Sequence, residues 1–337
     1  MGNQLALDLG PVYVRGTAFL EGEEDPSVGL SCFYSATHSG TFYFFQYKSS
    51  EIATFKSHVL YSRLQPCTES VYCAGIKHEA ILNQIREIYN VEIERRFTTT
   101  SNVTALEFLA GADPKSFFSF AHNSEVMLKR VGRLEFPTAN VIEGLSKPLL
   151  PCLLVNLRSG LSVYKVNSKD DFVRVGGSSI GGSTFWALMK LMTDYSDPIH
   201  AIGDAIKGDT RNVDMSVGDI YGGDYPSIGL SGDMLASSCA KMRDKRPNEL
   251  NREDVSKSLL TLFAFNVSQI VYLLSTVEKV GTVIIAGNLV SAPEFMQMAQ
   301  DCMNFWSSGS ISLIFNQHAS YLGSWGSLIE RLELPSK

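Results

Sequence analysis

The sequence predicts an α/β protein of two lobes with mixed sheets, and three observations carry that prediction. The 337 residues suffice for one large domain or two ordinary ones, with ample material for a core. Short apolar, branched or aromatic runs that read as strands alternate with stretches whose apolar residues recur at helical spacing. The order strand, strand, strand, helix, strand, helix is read twice along the chain, without close sequence repetition.

The first lobe is expected over residues 1–147. Gln4–Leu9 and Val12–Leu20 read as strands meeting at Asp8-Leu9-Gly10, and the acidic stretch from Glu21 to Pro26 reads as a solvated loop. Phe42–Tyr47 and Ser70–Ala74 are further strands. Glu79–Tyr89 is a helix with Ile81, Leu82, Ile85 and Ile88 on one face, and Thr104–Ala110 a shorter one. Asp113–Lys147, polar and interrupted by Pro114 and Pro137, is expected to be an irregular connection between the lobes. The second lobe, 148–337, opens with strands Leu149–Val155, Leu161–Val166 and Phe172–Val175. Helices Ile180–Leu191, Ile199–Ile206 and Val255–Leu274 follow, then strand Thr282–Ala286, helix Ala292–Phe305, strand Ile311–Phe315 and the closing helix Ala319–Leu332. Two such lobes facing a cleft are the plan of the actin-like and hexokinase-type kinases, with a ribonuclease H-like core in each lobe. On pattern alone it is one of several α/β arrangements that fit.

Composition narrows the function classes. Lys and Arg number 29 against 35 Asp and Glu, a formal charge of −6, so the basic stripe of a nucleic-acid binder is missing. Cys32, Cys67, Cys73, Cys152, Cys239 and Cys302 show no C-x-x-C spacing and read as buried thiols of a reducing compartment. The six histidines form no zinc-binding pair. Met1–Gly10 lacks the pattern of a secretory leader, and Ala6 breaks the myristoylation pattern that Met1-Gly2 begins. Leu259–Leu274 contains Asn266, Ser268 and Gln269 and is expected to be a core helix, not a membrane span. A cytoplasmic protein is expected.

Glycine-rich segments hold the densest information. Asn156-Leu157-Arg158-Ser159-Gly160-Leu161-Ser162 reads as a turn between strands, and Arg174 to Phe185 as a strand-to-helix turn with Gly176, Gly177, Gly181 and Gly182. Such turns let backbone N–H groups approach an anion, and a helix N-terminus adds a favourable dipole; they also serve as plain tight turns. Further on come Lys207-Gly208-Asp209, Asp219-Ile220-Tyr221-Gly222-Gly223-Asp224-Tyr225, Ile228-Gly229-Leu230 and Ala236-Ser237-Ser238. These stretches, in this order and spacing, closely resemble the eukaryotic-type (type II) pantothenate kinases. Ser168-Lys169-Asp170, Ala286-Gly287-Asn288 and Tyr321-Leu322-Gly323 match in order as well. The resemblance is strong over about 150–240 and thinner elsewhere.

The resemblance implies a dimeric enzyme that uses Mg-ATP to phosphorylate pantothenate, the entry step of coenzyme A synthesis, and is inhibited by acyl-CoA. It implies that Ser159, Ser162 and Arg174 contact pantothenate or the pantetheine end of an acyl-CoA. It assigns Asp8, Gly10, Gly75, Gly160, Gly181, Gly182, Gly287, Asn288 and Gly323 to the nucleotide side, with Asp8 serving magnesium. The chain departs from the family on that side. Where the family has Asp-x-Gly-Gly-Thr, Asp8-Leu9-Gly10-Pro11-Val12 lacks one N–H and a hydroxyl. A Thr-Gly-Gly-Gly turn becomes Ala74-Gly75-Ile76-Lys77, and the glycine beside Ser159 becomes Arg158. The catalytic glutamate falls at Thr98 or Thr99, whose hydroxyl cannot serve as a base near neutral pH; Glu79, Glu92 and Glu94 are the substitutes within reach in sequence.

Three functions therefore compete: an impaired subunit that pairs with an intact pantothenate kinase or senses pantothenate or acyl-CoA, an active kinase with an altered ATP site, and a non-catalytic scaffold. The chain would pair with itself or with the intact enzyme.

Overall fold

The computed structural model describes residues 3–22, 24–64, 70–75, 77, 79–120, 141–145, 148–287 and 289–333. In chain order the elements begin with β1 (Gln4–Leu9), β2 (Tyr13–Glu21), β3 (Ser31–Ser35), β4 (Gly40–Lys48), α1 (Val59–Leu64) and β5 (Ser70–Gly75). Then come α2 (Glu79–Tyr89), β6 (Glu92–Arg95), α3 (Thr98–Ala112), β7 (Phe117–Phe120), β8 (Val141–Glu143) and β9 (Cys152–Leu157). β10 (Leu161–Ser168), β11 (Asp171–Ser178), α4 (Gly182–Met192), α5 (Pro198–Asp204), β12 (Met215–Ser216), α6 (Val217–Tyr221) and β13 (Leu235–Ser237) follow. The chain closes with α7 (Arg252–Glu278), β14 (Val283–Gly287), α8 (Pro293–Ser307), β15 (Leu313–Asn316) and α9 (Leu322–Leu332).

Two compact units result. One comprises Met1–Ser116, Ser168–Asp171 and Ser320–Lys337; the other Phe117–Asn167 and Phe172–Ala319. The chain thus changes unit near 116, not at 147, and its last helix belongs to the first unit. The reason lies in β7: Phe118 and Phe120 pack their rings on Phe315, at 5.7 and 5.6 Å between centroids, and β7 pairs with β15 of the second unit. An aromatic run read as part of a polar connection is a sheet strand.

The first unit holds a six-stranded sheet in the order β3-β4-β2-β1-β5-β6. β1 is buried along its whole length, antiparallel to β2 and parallel to β5. The stripe expected on α2 covers one face, where Leu82 and Ile85 join Leu5, Leu7 and Leu9 in one apolar cluster. α9 packs on β1, β2, β5 and α3. Its contact is lined by small side chains: Ser327 lies 2.9 Å from Ser101 and Ser324 lies 2.8 Å from Thr17, oxygen to oxygen. Trp325, fully buried, stands among Phe33, Phe42, Phe44 and Phe108. α3 starts six residues before the expected Thr104, because Ser101, Asn102 and Val103 are buried and packing overrides the poor helix propensity of Thr98-Thr99-Thr100.

The second unit has a seven-stranded sheet ordered β11-β10-β9-β14-β15-β7-β8. β9 is antiparallel to β10 and parallel to β14, which is parallel to β15. Taking β1, β2, β4, β5, β6 in one sheet and β9, β10, β11, β14, β15 in the other, each runs third-second-first-fourth-fifth, the ribonuclease H-like order. The duplication expected from the element pattern is thus topological. α7 is long and apolar enough to cross a membrane by length and composition. Its Leu259, Leu260, Phe263, Val267 and Val271 lie in the core of this unit, and Ser268 donates to the Ala299 carbonyl of α8 at 3.0 Å. Cys73 and Cys152 are buried, which pushes both thiols up to about 12.

α8 carries a buried carboxyl group. Asp301 is 7% exposed, accepts from Gln297 Nε2 at 3.0 Å, and burial raises its pKa to about 7. Between about pH 4 and pH 7 the folded protein therefore keeps a proton that the unfolded chain has released. This group's contribution to stability falls by about 1.4 kcal/mol per pH unit across that window and is flat above it. Asp301→Asn should remove this slope, so that the variant gains on the wild type as pH rises from 5 to 8. Parallel melting-temperature curves for the two proteins would contradict this.

Candidate functional site

In the first unit the structure brings Asp8, Gly75 and Thr98 together. Asp8 is opposite Ala74 in the β1–β5 register and opposite Arg15 on β2. A Cβ on Gly75, whose φ is +85°, would stand 2.7 Å from Asp8 Oδ1 and 2.2 Å from the Leu9 carbonyl, so only glycine fits there. Both backbone groups of Gly75 are taken by side chains. Its N–H donates to Thr98 Oγ1 at 3.0 Å, and its carbonyl accepts from Arg95 Nη2 at 2.7 Å. At the β1–β2 turn, the Gly10 N–H donates to the Tyr13 carbonyl at 2.9 Å and the Gly10 carbonyl accepts from Ser49 Oγ at 3.1 Å.

The substitute carboxylates are engaged elsewhere or exposed. Glu79 pairs with Lys77 at 3.4 Å at the start of α2. Glu94 accepts from Ser70 and Tyr72 and pairs with Arg96, while Glu92 is exposed on β6. Thr99 follows Thr98 on α3, and Gly323 is buried in the first turn of α9. The carboxylate that packs beside α3 is Glu330 of α9, which accepts from Thr104 at 3.4 Å; burial raises its pKa.

In the second unit the predicted glycines meet at one place. The N–H of Gly182 donates to the Arg158 carbonyl at 2.6 Å and that of Ser183 to the Ser159 carbonyl at 3.2 Å. The free donors expected at the start of α4 are thus capped by the β9–β10 turn. A Cβ on Gly181 would lie 2.4 Å from Gly160 Cα, so these two turns meet backbone to backbone. Gly287 adjoins the Leu157 carbonyl; Asn288 lies outside the described residues. Ser159 and Arg174 are exposed, and Ser162 is half-buried opposite Asn156 in the β9–β10 register. Arg174 Nη2 and the Leu161 carbonyl oxygen both fall within 2.6 Å of where a Gly177 Cβ would stand, so the guanidinium reaches the start of β10.

The most specific motifs turn out to shape the fold. Buried Lys257 of α7 donates to the Gly208 carbonyl at 2.9 Å, and Asp254 accepts from the Asp209 N–H and Asn212 at 2.6 and 2.7 Å. Asp219 caps α6 with Ser216 and pairs with Lys241 at 2.7 Å, and Asp224 accepts from the Gly232 N–H at 2.6 Å. The rings of Tyr221 and Tyr225 stack at 4.6 Å.

The Fumble family model matches residues 21–330. The chain belongs to the Fumble family, the pantothenate kinases. The match begins after the Asp8–Val12 turn, the first point of departure. "Pantothenate kinase 2" of Oryza sativa subsp. japonica is 37% identical over 185 residues, 54% of this chain and 20% of that protein. A "4'-phosphopantetheine phosphatase" of Mus musculus is 37% identical over 186 residues, 55% of this chain and 23% of that protein. The chain spans about a fifth of the length of these curated relatives. Solved structures aligned along this Fumble-family chain include the ethanolamine utilization protein EutJ from Carboxydothermus hydrogenoformans. It is 8% identical with a TM-score of 0.48, covering 97% of this chain and 89% of that one. A ROK family glucokinase from Streptomyces griseus, 10% identical with a TM-score of 0.45, covers 97% and 98%.

At the Asp8–Val12 turn this Fumble-family chain keeps one carboxylate and lacks two groups that would hold a phosphate, the N–H that Pro11 removes and the hydroxyl that Val12 removes. Magnesium is held by one or two carboxylates together with substrate phosphates, and the phosphates need free N–H groups or hydroxyls around them. Within the first unit the amides of Gly10 and Gly75 already have acceptors. Three neighbours of the predicted residues escaped the sequence reading. Arg15 follows from the pairing of β1 with β2, Asn156 is a polar residue in an otherwise apolar strand, and Arg95 had no sequence signal.

Proposed function

We propose that this chain is a catalytically impaired member of its family. It binds pantothenate or an acyl-CoA through Ser159, Ser162 and Arg174 in the cytoplasm and pairs with an intact pantothenate kinase. One observation carries the reading: Thr98, which with Thr99 marks where the family's catalytic glutamate falls, accepts the Gly75 N–H on its hydroxyl oxygen at 3.0 Å, in the place of a carboxylate. A threonine in that position supplies no base, and losing a general base costs roughly 10²–10⁴-fold in rate. The serine and arginine positions of the second unit are retained and open to solvent or half-buried. Exposed apolar residues support pairing. Tyr221 and Ile228 are 56% and 61% exposed, and Val277 on α7 is 73% exposed, apolar surface that pairing would cover.

Binding tests this directly. Pantothenate or acetyl-CoA should raise the melting temperature of the purified chain, and Mg-ATP should not. Arg174→Ala should abolish the ligand-induced shift, and an unchanged shift would remove the assignment of Arg174. Native mass spectrometry with and without an intact pantothenate kinase should reveal a mixed oligomer. A chain that binds none of these ligands would be a scaffold.

A further inference from the structure

Asn156 occupies an unusual position on β9. In register it lies between Ser162 of β10 and Ala286 of β14, one residue before the end of the strand. Its side-chain oxygen Oδ1 is buried and has no hydrogen-bond partner among the described residues. Buried polar atoms are almost always paired, and one left unpaired costs about 1–3 kcal/mol, so the fold does not gain from this oxygen. The neighbours of Asn156 are chemically informative. Ser162 stands directly opposite, and the Arg174 guanidinium reaches the backbone of Leu161, the next residue along β10. The place is the carboxyl end of the parallel pair β9 and β14, where open α/β sheets receive their ligands.

We propose that Asn156 is a substrate-binding residue whose Oδ1 accepts an N–H or O–H from a hydroxy-amide of the pantothenate class seated against Ser162 and Arg174. This rests on the reading that the chain binds pantothenate or its coenzyme A derivatives. Pantothenate suits the arrangement because it carries one amide N–H and two hydroxyls as donors, and a carboxylate that a guanidinium attracts. The acceptor on Asn156 sorts ligands by whether they can donate, since a ligand without a donor leaves it unpaired.

The test is calorimetric titration of the full chain with pantothenate, in the wild type, Asn156→Leu and Asn156→Ala. Loss of one such bond should raise the dissociation constant roughly tenfold, the equivalent of about 1.4 kcal/mol. The ligand-free melting temperature of Asn156→Leu should stay level or rise, because an unsatisfied polar group is gone. A structural role would instead lower binding and melting temperature together in both variants, which would overturn the proposal, as would unaltered pantothenate affinity in Asn156→Leu. A folded wild type that binds neither pantothenate nor acetyl-CoA would remove the underlying reading itself, and the proposal with it.

Discussion

Thr98→Glu leaves the protein far slower than an intact pantothenate kinase, even though it returns a carboxylate to one of the two positions, Thr98 and Thr99, where the family's glutamate falls. The substitution puts an anion at the first residue of α3, where the helix dipole favours it. It does nothing for the other half of the site. Pro11 offers no N–H, Val12 no hydroxyl, and the Gly10 amide remains bonded to Tyr13. Removing one preorganised donor to a developing charge costs about 10²–10³ in rate, and a missing base about 10²–10⁴. Wild-type turnover should therefore lie at least about 10⁴-fold below that of an intact relative. Thr98→Glu alone should recover no more than the roughly 10²–10⁴-fold that a base supplies, and adding Pro11→Gly and Val12→Thr should recover more than either change alone. Mg-ATP-dependent formation of phosphopantothenate measures the wild type, each change alone and the combination. Full turnover by the unmodified chain would remove the impaired-subunit reading.

The second large effect is on stability. A Cβ on Gly326 would stand 1.7 Å from the Ser101 carbonyl oxygen and 2.4 Å from its carbon. The obstacle is the backbone of α3, which no rotamer change relieves, so α9 must lift from its seat. Doing so disturbs the Ser101–Ser327 and Thr17–Ser324 hydrogen bonds and the aromatic cage of Trp325. Overpacking a tight core costs about 1–3 kcal/mol, and a backbone clash lies at or above the top of that range. Gly326→Ala should lower the melting temperature by roughly 6–12 °C at about 2–4 °C per kcal/mol. Hydrogen exchange should rise first in α3 and α9. An unchanged melting temperature would mean that the two helices approach less closely than described.

Much of this fold was legible because its signals are local. The stripe on α2, the apolar runs of β1, β9 and β14, and the long apolar α7 each follow from a periodicity within a dozen or so residues. What was not legible depends on partners far away in sequence. β7 reads as part of a polar connection until Phe315 is beside it, and the first turn of α3 looks like a poor helix until α9 covers it. The site divides the same way. The glycines and the missing glutamate were readable as residue types, but the commitment of the Gly75 N–H to Thr98 required the β5 and α3 ends to meet. The motifs that identified the family also proved to be a poor guide to chemistry, since Gly208 and Asp209 tie a long excursion to α7 and Asp224 braces that excursion internally through the Gly232 N–H.

The seat of α9 also bears on how the protein is made. Ribosomes release a chain from its N-terminus, so β1 to α3 emerge first, yet the helix that covers them is drawn from residues 320–337. Until then β1, β2 and α3 wait with the apolar surface for Trp325 uncovered, while the second unit, continuous but for a four-residue loop, can already condense. The sheet made before the second unit is thus finished after it, and in that interval its uncovered apolar face is the surface open to chaperone capture or aggregation.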